Sequence, residues 1–502
     1  MTAFGSRFLA RDLDRVLFAR LAAARPRGVH SVLPRISRAA DHGVLWAGTA
    51  AALGVLGGRS VRRGALRGLG SLAIASAVSN LIAKPTTRRA RPVIDQVPVA
   101  RRLRRAPHTT SFPSGHSASA AAFTFGVALE SPRAALLVAP LAGAVALSRV
   151  YVGVHYPSDV LAGVAIGAAA AALTSHWWPT RPEAPATAVR PRLPAPALAD
   201  GAGLSLVVNP GSGFNGRVAD ELRELLPQAD LRTLEPDDDL VELLDGAAER
   251  AARDGGALGV CGGDGTVNAA AGAAVRHGVP LAVFPGGTFN HFAADLGIET
   301  VSEVADALRA GDAVRVDLGR AASTDGAREK IFLNTFSLGV YPELVHRREK
   351  LEKWLGKWPA LAVALATVLA TSRPSTVVIN GTERRLWLLF AGNGVYHPAG
   401  FAPTHRPSLD DGLLDIRTVD GSLPLARVRL LLAVLTGTLH NSRVLVTAQV
   451  PRLRLETTER QVLFAYDGEV RELSTGGLVL AKRRQALTVY RPAGPADGVS
   501  QG

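Results

Sequence analysis

The chain of 502 residues is longer than one compact domain sustains, so two or more hydrophobic cores are expected. A net charge of +14, carried largely by arginine, suits phospholipid headgroups and nucleotides, and no nucleic-acid-binding motif accompanies it. The single cysteine, Cys261, excludes an intrachain disulfide and any cysteine-rich zinc site.

The opening Met-Thr-Ala-Phe-Gly-Ser-Arg lacks a basic stretch leading into an apolar run and a cleavage site, so no removable secretion signal is expected. Leu9, Leu13, Val16, Leu17 and Leu21 recur at helical spacing, whereas Arg7, Arg11, Asp12, Asp14 and Arg15 fall mostly elsewhere. This predicts an amphipathic segment within 1–39, either lying on a membrane surface or packed on the bundle that follows. Five charge-poor runs then predict five helices within 40–178: Val44 to Gly57, Ala65 to Ala83, Ser117 to Glu130, Ala134 to Leu147 and Val160 to His176. Several fall short of the ~20 residues that cross a bilayer, though flanking residues lengthen them and Trp177-Trp178 suits an interface. A membrane bundle is the preferred reading, a soluble alanine-rich bundle the competing one. Six prolines between Pro179 and Asp200 predict a stiff, extended linker over 179–200.

Three apolar strands then run into glycine-rich loops and helices. Leu204 to Val208 precedes Asn209-Pro210-Gly211-Ser212-Gly213, Ala257 to Cys261 precedes Gly262-Gly263-Asp264-Gly265-Thr266, and Leu281 to Phe284 precedes Pro285-Gly286-Gly287-Thr288. The order predicts a parallel α/β lobe over 201–315. Short β-type segments follow, among them Ser375 to Ile379, turned by Asn380-Gly381, and Arg443 to Val450. They predict an antiparallel β-sandwich lobe over 316–490, interrupted by a helical insertion at Leu351 to Thr371 near Trp354 and Trp358.

In the helical half, Lys84 is followed six residues later by Arg91-Pro92, then come Pro113-Ser114-Gly115-His116, then Ser148-Arg149 with His155 and Asp159. These three blocks resemble the type 2 phosphatidic acid phosphatase family, related to the vanadium haloperoxidases. A phosphate ester needs cations for its equatorial oxygens, an in-line nucleophile and an acid for the leaving oxygen. Lys84, Arg91 and Arg149 supply the cations. Ser114 is placed to cap the helix that begins there, aiming the Gly115 and His116 amides at phosphate. The resemblance implies that His155 is the nucleophile, passing through a phosphohistidine, that His116 is the acid, and that no metal takes part. Pro157 opens the next helix, which puts Asp159 in its first turn, where it fixes the His155 tautomer.

In the second half, Gly262, Gly263, Asp264, Gly265, Thr266, Val267 and Asn268 form a strand-to-helix turn with backbone amides for a nucleotide phosphate and a carboxylate for Mg²⁺. With Asn209 to Gly213, Pro285 to Asn290, Asp410-Asp411-Gly412-Leu413 and Asp467-Gly468-Glu469, it resembles the diacylglycerol kinase catalytic family. That resemblance implies ATP contacts from Asn209, Pro210, Gly211, Ser212, Gly213, Thr233, Gly262 to Asn268 and Thr288. It also implies Glu469 as general base, and Asp411 with the main-chain oxygens of Ser408 and Leu413 as a structural Mg²⁺ site. A plain solvated turn at Asp410-Asp411-Gly412 is the alternative. Where many members read Asn-Asp-Phe-Ala-Arg, this chain reads Asn290-His291-Phe292-Ala293-Ala294.

The expected protein is therefore a bifunctional membrane enzyme, a lipid phosphatase joined to an ATP- and Mg²⁺-dependent lipid kinase. Its expected substrates are a phosphatidic acid-like phosphate and a diacylglycerol-like alcohol. The alternatives are a polyprenyl-phosphate or phosphosugar phosphatase fused to a sphingoid or other lipid kinase, and a scaffold with one inactive domain. Because kinase chemistry needs ATP, the domain after the fifth helix is expected in the cytoplasm, and an odd number of crossings then puts Lys84, His116 and His155 outside. Arg59, Arg62, Arg63 and Arg67 then fall inside, as positive-inside sorting prefers, although Arg88, Arg89, Arg101, Arg102, Arg104 and Arg105 fall outside.

Overall fold

The computed structural model describes residues 14–21, 29–87, 89–92, 97–98, 110–181, 185–191, 195–212, 217–287, 290–326, 329–398, 405–436, 438, 442–457, 462–473 and 476–492. The chain divides into two compact units, Met1–Arg181 and Pro182–Gly502.

The first unit is helical. Helix α1 covers 14–21 and α2 Val29–Ala39; the five apolar runs become α3 (Val44–Leu56), α4 (Arg59–Ala77), α6 (Gly115–Glu130), α7 (Pro132–Tyr151) and α8 (Pro157–Trp177). A π-helical segment, Val78–Ala83, continues α4 into a short α5, Lys84–Thr87. Helix α2 carries Pro34 and several basic residues, and for that reason shows no apolar run in the sequence. On α1 the buried face is Asp14 and Phe18, at 4% and 2% exposure, while Val16 and Leu17 of the expected apolar face stay open at 47% and 39%. Leu9 and Leu13 lie outside the described residues.

Helix α6 is the hub, packed on α4, α7 and α8. Small residues allow this close approach. A Cβ on Gly126 would stand 2.8 Å from the Gly68 Cα, and one on Gly167 would stand 2.5 Å from the Ala118 carbonyl oxygen. Such small-residue contacts let helices pack where no hydrophobic force separates protein from lipid. Among the described residues three helical stretches, Arg59–Thr87, Pro132–Tyr151 and Pro157–Trp177, are long and apolar enough to cross a membrane. Large apolar side chains point outward, Leu137 at 80% and Leu161 at 69% exposure, as lipid-facing positions require. At one end of this unit the buried Arg67 pairs with Glu130 and also donates to Thr174 and the Trp178 carbonyl.

Among the described residues the second unit joins fifteen strands in one mixed sheet. Its α/β part runs β1 (Leu204–Val208), α9 (Arg217–Leu225), β2 (Asp230–Thr233), α10 (Leu240–Arg253), β3 (Ala257–Gly262), α11 (Asp264–His277), β4 (Leu281–Pro285), α12 (His291–Asp295) and α13 (Val301–Ala310). Strands β4, β3, β1 and β2 lie side by side and parallel.

The later strands are antiparallel: β5 (Ala313–Ser323), β6 (Glu329–Phe332), β7 (Thr335–Gly339), β8 (Ser375–Ile379), β9 (Thr382–Asn393), β10 (Leu414–Asp420), β11 (Leu445–Val450), β12 (Arg452–Thr457), β13 (Val462–Tyr466), β14 (Glu469–Leu473) and β15 (Gly476–Tyr490). The parallel and antiparallel strands join in one sheet rather than standing as two, because the long β15 pairs with β12 and β5 and reaches β4 at Val489 and Leu281. Asn380 and Gly381 both take positive φ, 49° and 84°, making the β8–β9 turn read from the sequence. The helical insertion is two helices, α14 (Val340–Leu355) and α15 (Lys357–Thr371), broken at Gly356.

The proline-rich stretch is not a free tether throughout. Ala186, Ala188, Ala195 and Leu198 are buried in the core of the second unit. Thr187 bridges Ser408, Val189 bridges Arg315, and the Tyr490 hydroxyl donates to the Pro196 carbonyl.

Candidate functional sites

In the helical unit the site forms at one end of the bundle. The π-helical turn before Lys84 shifts the helix register there, a distortion that recurs at functional positions. The Lys84 ammonium donates to Asn80 one turn back, and its Nζ lies 3.6 Å from where a Cβ on Gly115 would stand. Ser114 caps α6, its hydroxyl accepting from the Ser117 amide. Gly163 brings the start of α8 against this cap, since a Cβ there would meet the Ser114 carbonyl oxygen at 2.4 Å. The Ser114 amide in turn donates to the Asp159 carbonyl.

Arg91 donates to the Val154 carbonyl at 2.7 Å, holding its guanidinium beside the loop that carries His155. Arg149 ends α7 fully enclosed, with one terminal nitrogen donating to Ser37 and its Nε left without an acceptor. A buried guanidinium N–H without a partner is costly unless an anion completes it. The Asp159 carboxylate accepts the Tyr156 amide at 2.8 Å, and its same oxygen lies 3.6 Å from the His155 Nδ1, an ion-pair separation longer than a hydrogen bond. Burial pushes His155 below the ordinary histidine range, opposed by Asp159 and aided by the nearby Arg149 and Arg91. His116 Nε2 contacts Asp41 Oδ1 at 2.8 Å. Asp41, Ser37 and Asn80 were not singled out from the sequence. Asn80 was readable as the i−4 partner of Lys84, but Ser37 and Asp41 precede every motif and carry no local signal.

In the second unit, register aligns the loops. Val208 pairs with Thr233 and Cys261, Cys261 with Phe284, and Gly262 with Pro285, so the carboxyl ends of β2, β1, β3 and β4 stand in one row. Ligands of parallel sheets bind along such an edge. Asn209 donates to the Thr266 hydroxyl and accepts the Gly211 amide, tying the first loop to the second. Gly287 backs onto Gly263, where an added Cβ would come within 2.6 Å of the Gly263 Cα. Asp264 lies in the first turn of α11 and accepts the His291 amide at 2.8 Å. That contact uses the backbone of position 291, so a histidine preserves it. Cys261 is buried and its thiol is pushed up to about 12 by burial, as suits packing. Gly213 and Thr288 lie outside the described residues, as does the Ser212 side chain.

Glu469 opens β14 after the positive-φ turn Asp467-Gly468 and pairs with Arg471 at 3.3 Å. The Asp467 carboxylate accepts the amides of Leu333, Asn334 and Thr335. Burial pushes Asp467 up to about 6 against the pull of those three donors. Asn268 of the nucleotide turn donates to the Ile331 carbonyl. The five residues 331–335 are therefore gripped by Asn268 at one end and Asp467 at the other, linking the glycine-rich turn to the Glu469 turn.

For the structural cation, Asp411 Oδ2 and the Ser408 carbonyl oxygen lie 3.3 and 3.4 Å from where a Cβ on Gly394 would stand. Leu413's carbonyl accepts the Gly394 amide and keeps a second lone pair. Lys482 sits on the other Asp411 oxygen at 3.7 Å. The oxygens expected to hold the cation thus meet around Gly394, where Asp411 Oδ2 also accepts the Val395 amide at 2.7 Å; oxygen donors of this kind are those Mg²⁺ takes.

The profile of the PAP2 superfamily matches residues 64–183, and that of the diacylglycerol kinase catalytic domain matches 203–321. The chain is 37% identical over 156 residues to the decaprenylphosphoryl-5-phosphoribose phosphatase of Mycolicibacterium smegmatis, covering 30% of this chain and 82% of that protein. It belongs to the PAP2 superfamily.

The same chain carries a diacylglycerol kinase catalytic domain, so it is a fusion of the two. A second relative, the decaprenylphosphoryl-5-phosphoribose phosphatase of Mycobacterium tuberculosis strain CDC 1551, is 49% identical over 69 residues, 13% of this chain and 37% of that protein. The chain thus spans little more than a third of that relative's length. The diacylglycerol kinase of the same strain is 29% identical over 214 residues, 40% of this chain and 69% of that protein. Within the PAP2 match lie Lys84, Arg91, Ser114, His116, Arg149, His155 and Asp159; Asp14, Ser37 and Asp41 precede it. The kinase domain implies a nucleotide phosphate donor and a divalent metal, and the PAP2 helices make this a membrane protein.

Proposed function

We propose that the PAP2 unit is a lipid phosphatase working through a phosphohistidine, and that the second unit is an ATP-dependent lipid kinase. The observation that carries the first reading is the buried Arg149 Nε with no protein acceptor, in one site with His155, His116, Lys84 and Arg91. His155 attacks phosphorus through Nε2 while Asp159 faces Nδ1; the bond to the lipid oxygen breaks and His116 protonates that oxygen. Water then attacks the phosphohistidine, His116 takes its proton, and inorganic phosphate leaves. Lys84, Arg91 and Arg149 neutralise charge on the phosphoryl oxygens throughout.

Relatives named as decaprenylphosphoryl-5-phosphoribose phosphatases favour a polyprenyl-linked phosphosugar over phosphatidic acid as substrate of this unit. Release of phosphate from a panel of both lipid classes tests it, and hydrolysis of phosphatidic acid alone would overturn that preference.

In the kinase, loops Asn209 to Gly213 and Gly262 to Asn268, with Thr233 and Thr288, hold ATP. Glu469 takes the proton of the lipid hydroxyl as that oxygen attacks the γ-phosphorus and ADP leaves. Asp264 would hold Mg²⁺ with the nucleotide, where the ion would supply charge neutralisation, and Asp411 with the main-chain oxygens of Ser408 and Leu413 would hold a separate structural Mg²⁺. A diacylglycerol-like alcohol is the proposed acceptor. Incubating a lipid extract with the protein and labelled ATP identifies the lipid that gains phosphate. The need for ATP supports a cytoplasmic kinase, and an odd number of crossings before it supports a phosphatase site on the other membrane face.

A further inference from the structure

We propose that Asp14, upstream of the PAP2 match, is a positioning residue of the phosphatase site that acts through Arg89 on Asp159. The inference rests on the phosphatase reading above. Asp14 is buried although it carries a charge. One of its carboxylate oxygens accepts the Ser158 amide at 2.9 Å; the other accepts the Ser158 hydroxyl at 2.6 Å and the Arg89 guanidinium at 2.5 Å. Arg89 turns its other terminal nitrogen to Asp159 Oδ1 and to the Ser158 hydroxyl, both at 2.7 Å. The remaining Asp159 oxygen is the one that faces His155.

The result is a continuous polar chain, Asp14 to Arg89 to Asp159 to His155, in which one carboxylate fixes the cation that fixes the next carboxylate. Apolar contacts fasten the same helix. Phe18, one turn after Asp14, meets the Tyr156 ring edge-on at 5.6 Å, and the Arg89 guanidinium lies over the other partner of that contact, 4.3 Å from the Tyr156 ring centroid. Phe18 also joins Val97 and Val150 in a small buried cluster beside Val160. Arg89 pairs both carboxylates, so without Asp14 its charge and geometry are no longer shared and Asp159 loses a fixed partner. Catalysis is sensitive to such loosening, since small misplacement of a reacting group costs on the order of a hundredfold.

The test uses the full chain in lipid nanodiscs, with a polyprenyl-linked phosphate and phosphatidic acid as probes. Wild-type hydrolysis and its loss in His155→Ala establish the site; if wild type hydrolyses neither probe, the phosphatase reading fails and the proposal falls with it. With that activity present, Asp14→Asn is expected to lower kcat on the order of ten- to a hundredfold with KM nearly unchanged. The double variant Asp14→Asn/Arg89→Gln is expected to be no slower than Arg89→Gln alone, as for two residues acting in one chain. A kcat within about twofold of wild type, or losses that multiply, would overturn the proposal. ATP-dependent lipid phosphorylation in the same preparation reports that the chain is intact. Should Asp14→Asn lower the melting temperature, Phe18→Ala loosens the same helix without touching the polar chain, and an equal kcat loss in that variant would also overturn it.

Discussion

The Arg67 guanidinium and the Glu130 carboxylate meet inside the helical bundle, with Arg67 Nε 2.8 Å from Glu130 Oε1 and both side chains buried. Arg63 joins the same carboxylate at 3.0 Å, and Trp178 lies 4.9 Å from the Arg67 guanidinium. The cluster ties α4, α6 and α8 together at their ends remote from Lys84, Ser114 and Asp159. Glu130→Gln leaves Arg67 charged and buried, which costs about 3–5 kcal/mol for a broken buried pair. Thermal unfolding in detergent is expected to show the loss, while phosphate release per folded molecule stays near wild type.

His155→Ala is expected to abolish phosphate release from lipid while lipid phosphorylation survives, because the two constellations share no residue. Equal loss of both activities in an inserted protein would refute independent sites. Burial keeps the His155 folded-state pKa below its ordinary 6.5, so the unprotonated nucleophile persists as pH falls past that value. The acid limb of kcat/KM for phosphate release is therefore expected below pH 6.5.

Asp264→Ala and Glu469→Ala are each expected to remove ATP-dependent lipid phosphorylation. They differ in binding. Glu469→Ala keeps near-normal ATP affinity, because its role is proton removal from the lipid, whereas Asp264→Ala weakens binding of the Mg²⁺ nucleotide. Full turnover in Glu469→Ala would show the base assignment to be wrong, and calorimetric titration with a non-hydrolysable ATP analogue separates the two variants.

Sidedness is read by labelling single cysteines in a Cys261→Ser background with an impermeant thiol reagent on intact cells. Pro98 and Asp237 are both exposed, one in each unit. Reaction at Pro98→Cys but not Asp237→Cys is expected for a phosphatase site outside and a kinase inside. The reverse pattern would invert the topology.

The five helices and the glycine-rich strand-to-helix turns were legible in the sequence, because each depends on local order. Apolar runs make helices, a serine before a helix caps it, and Asp159 falls in the first turn of α8 because Pro157 opens it. The strand pairing was not legible. Whether the antiparallel strands stand apart or join the parallel ones depends on how far β15 extends, and no local pattern encodes that partner. Nor was the role of the N-terminal helix: its spacing set Val16 and Leu17 on an apolar face for membrane or bundle and Asp14 elsewhere, yet the bundle buries Asp14 and Phe18. An aspartate gains nothing from burial by itself; only tertiary structure brings Arg89 and Ser158 to it, and their hydrogen bonds offset the cost of taking its charge out of water.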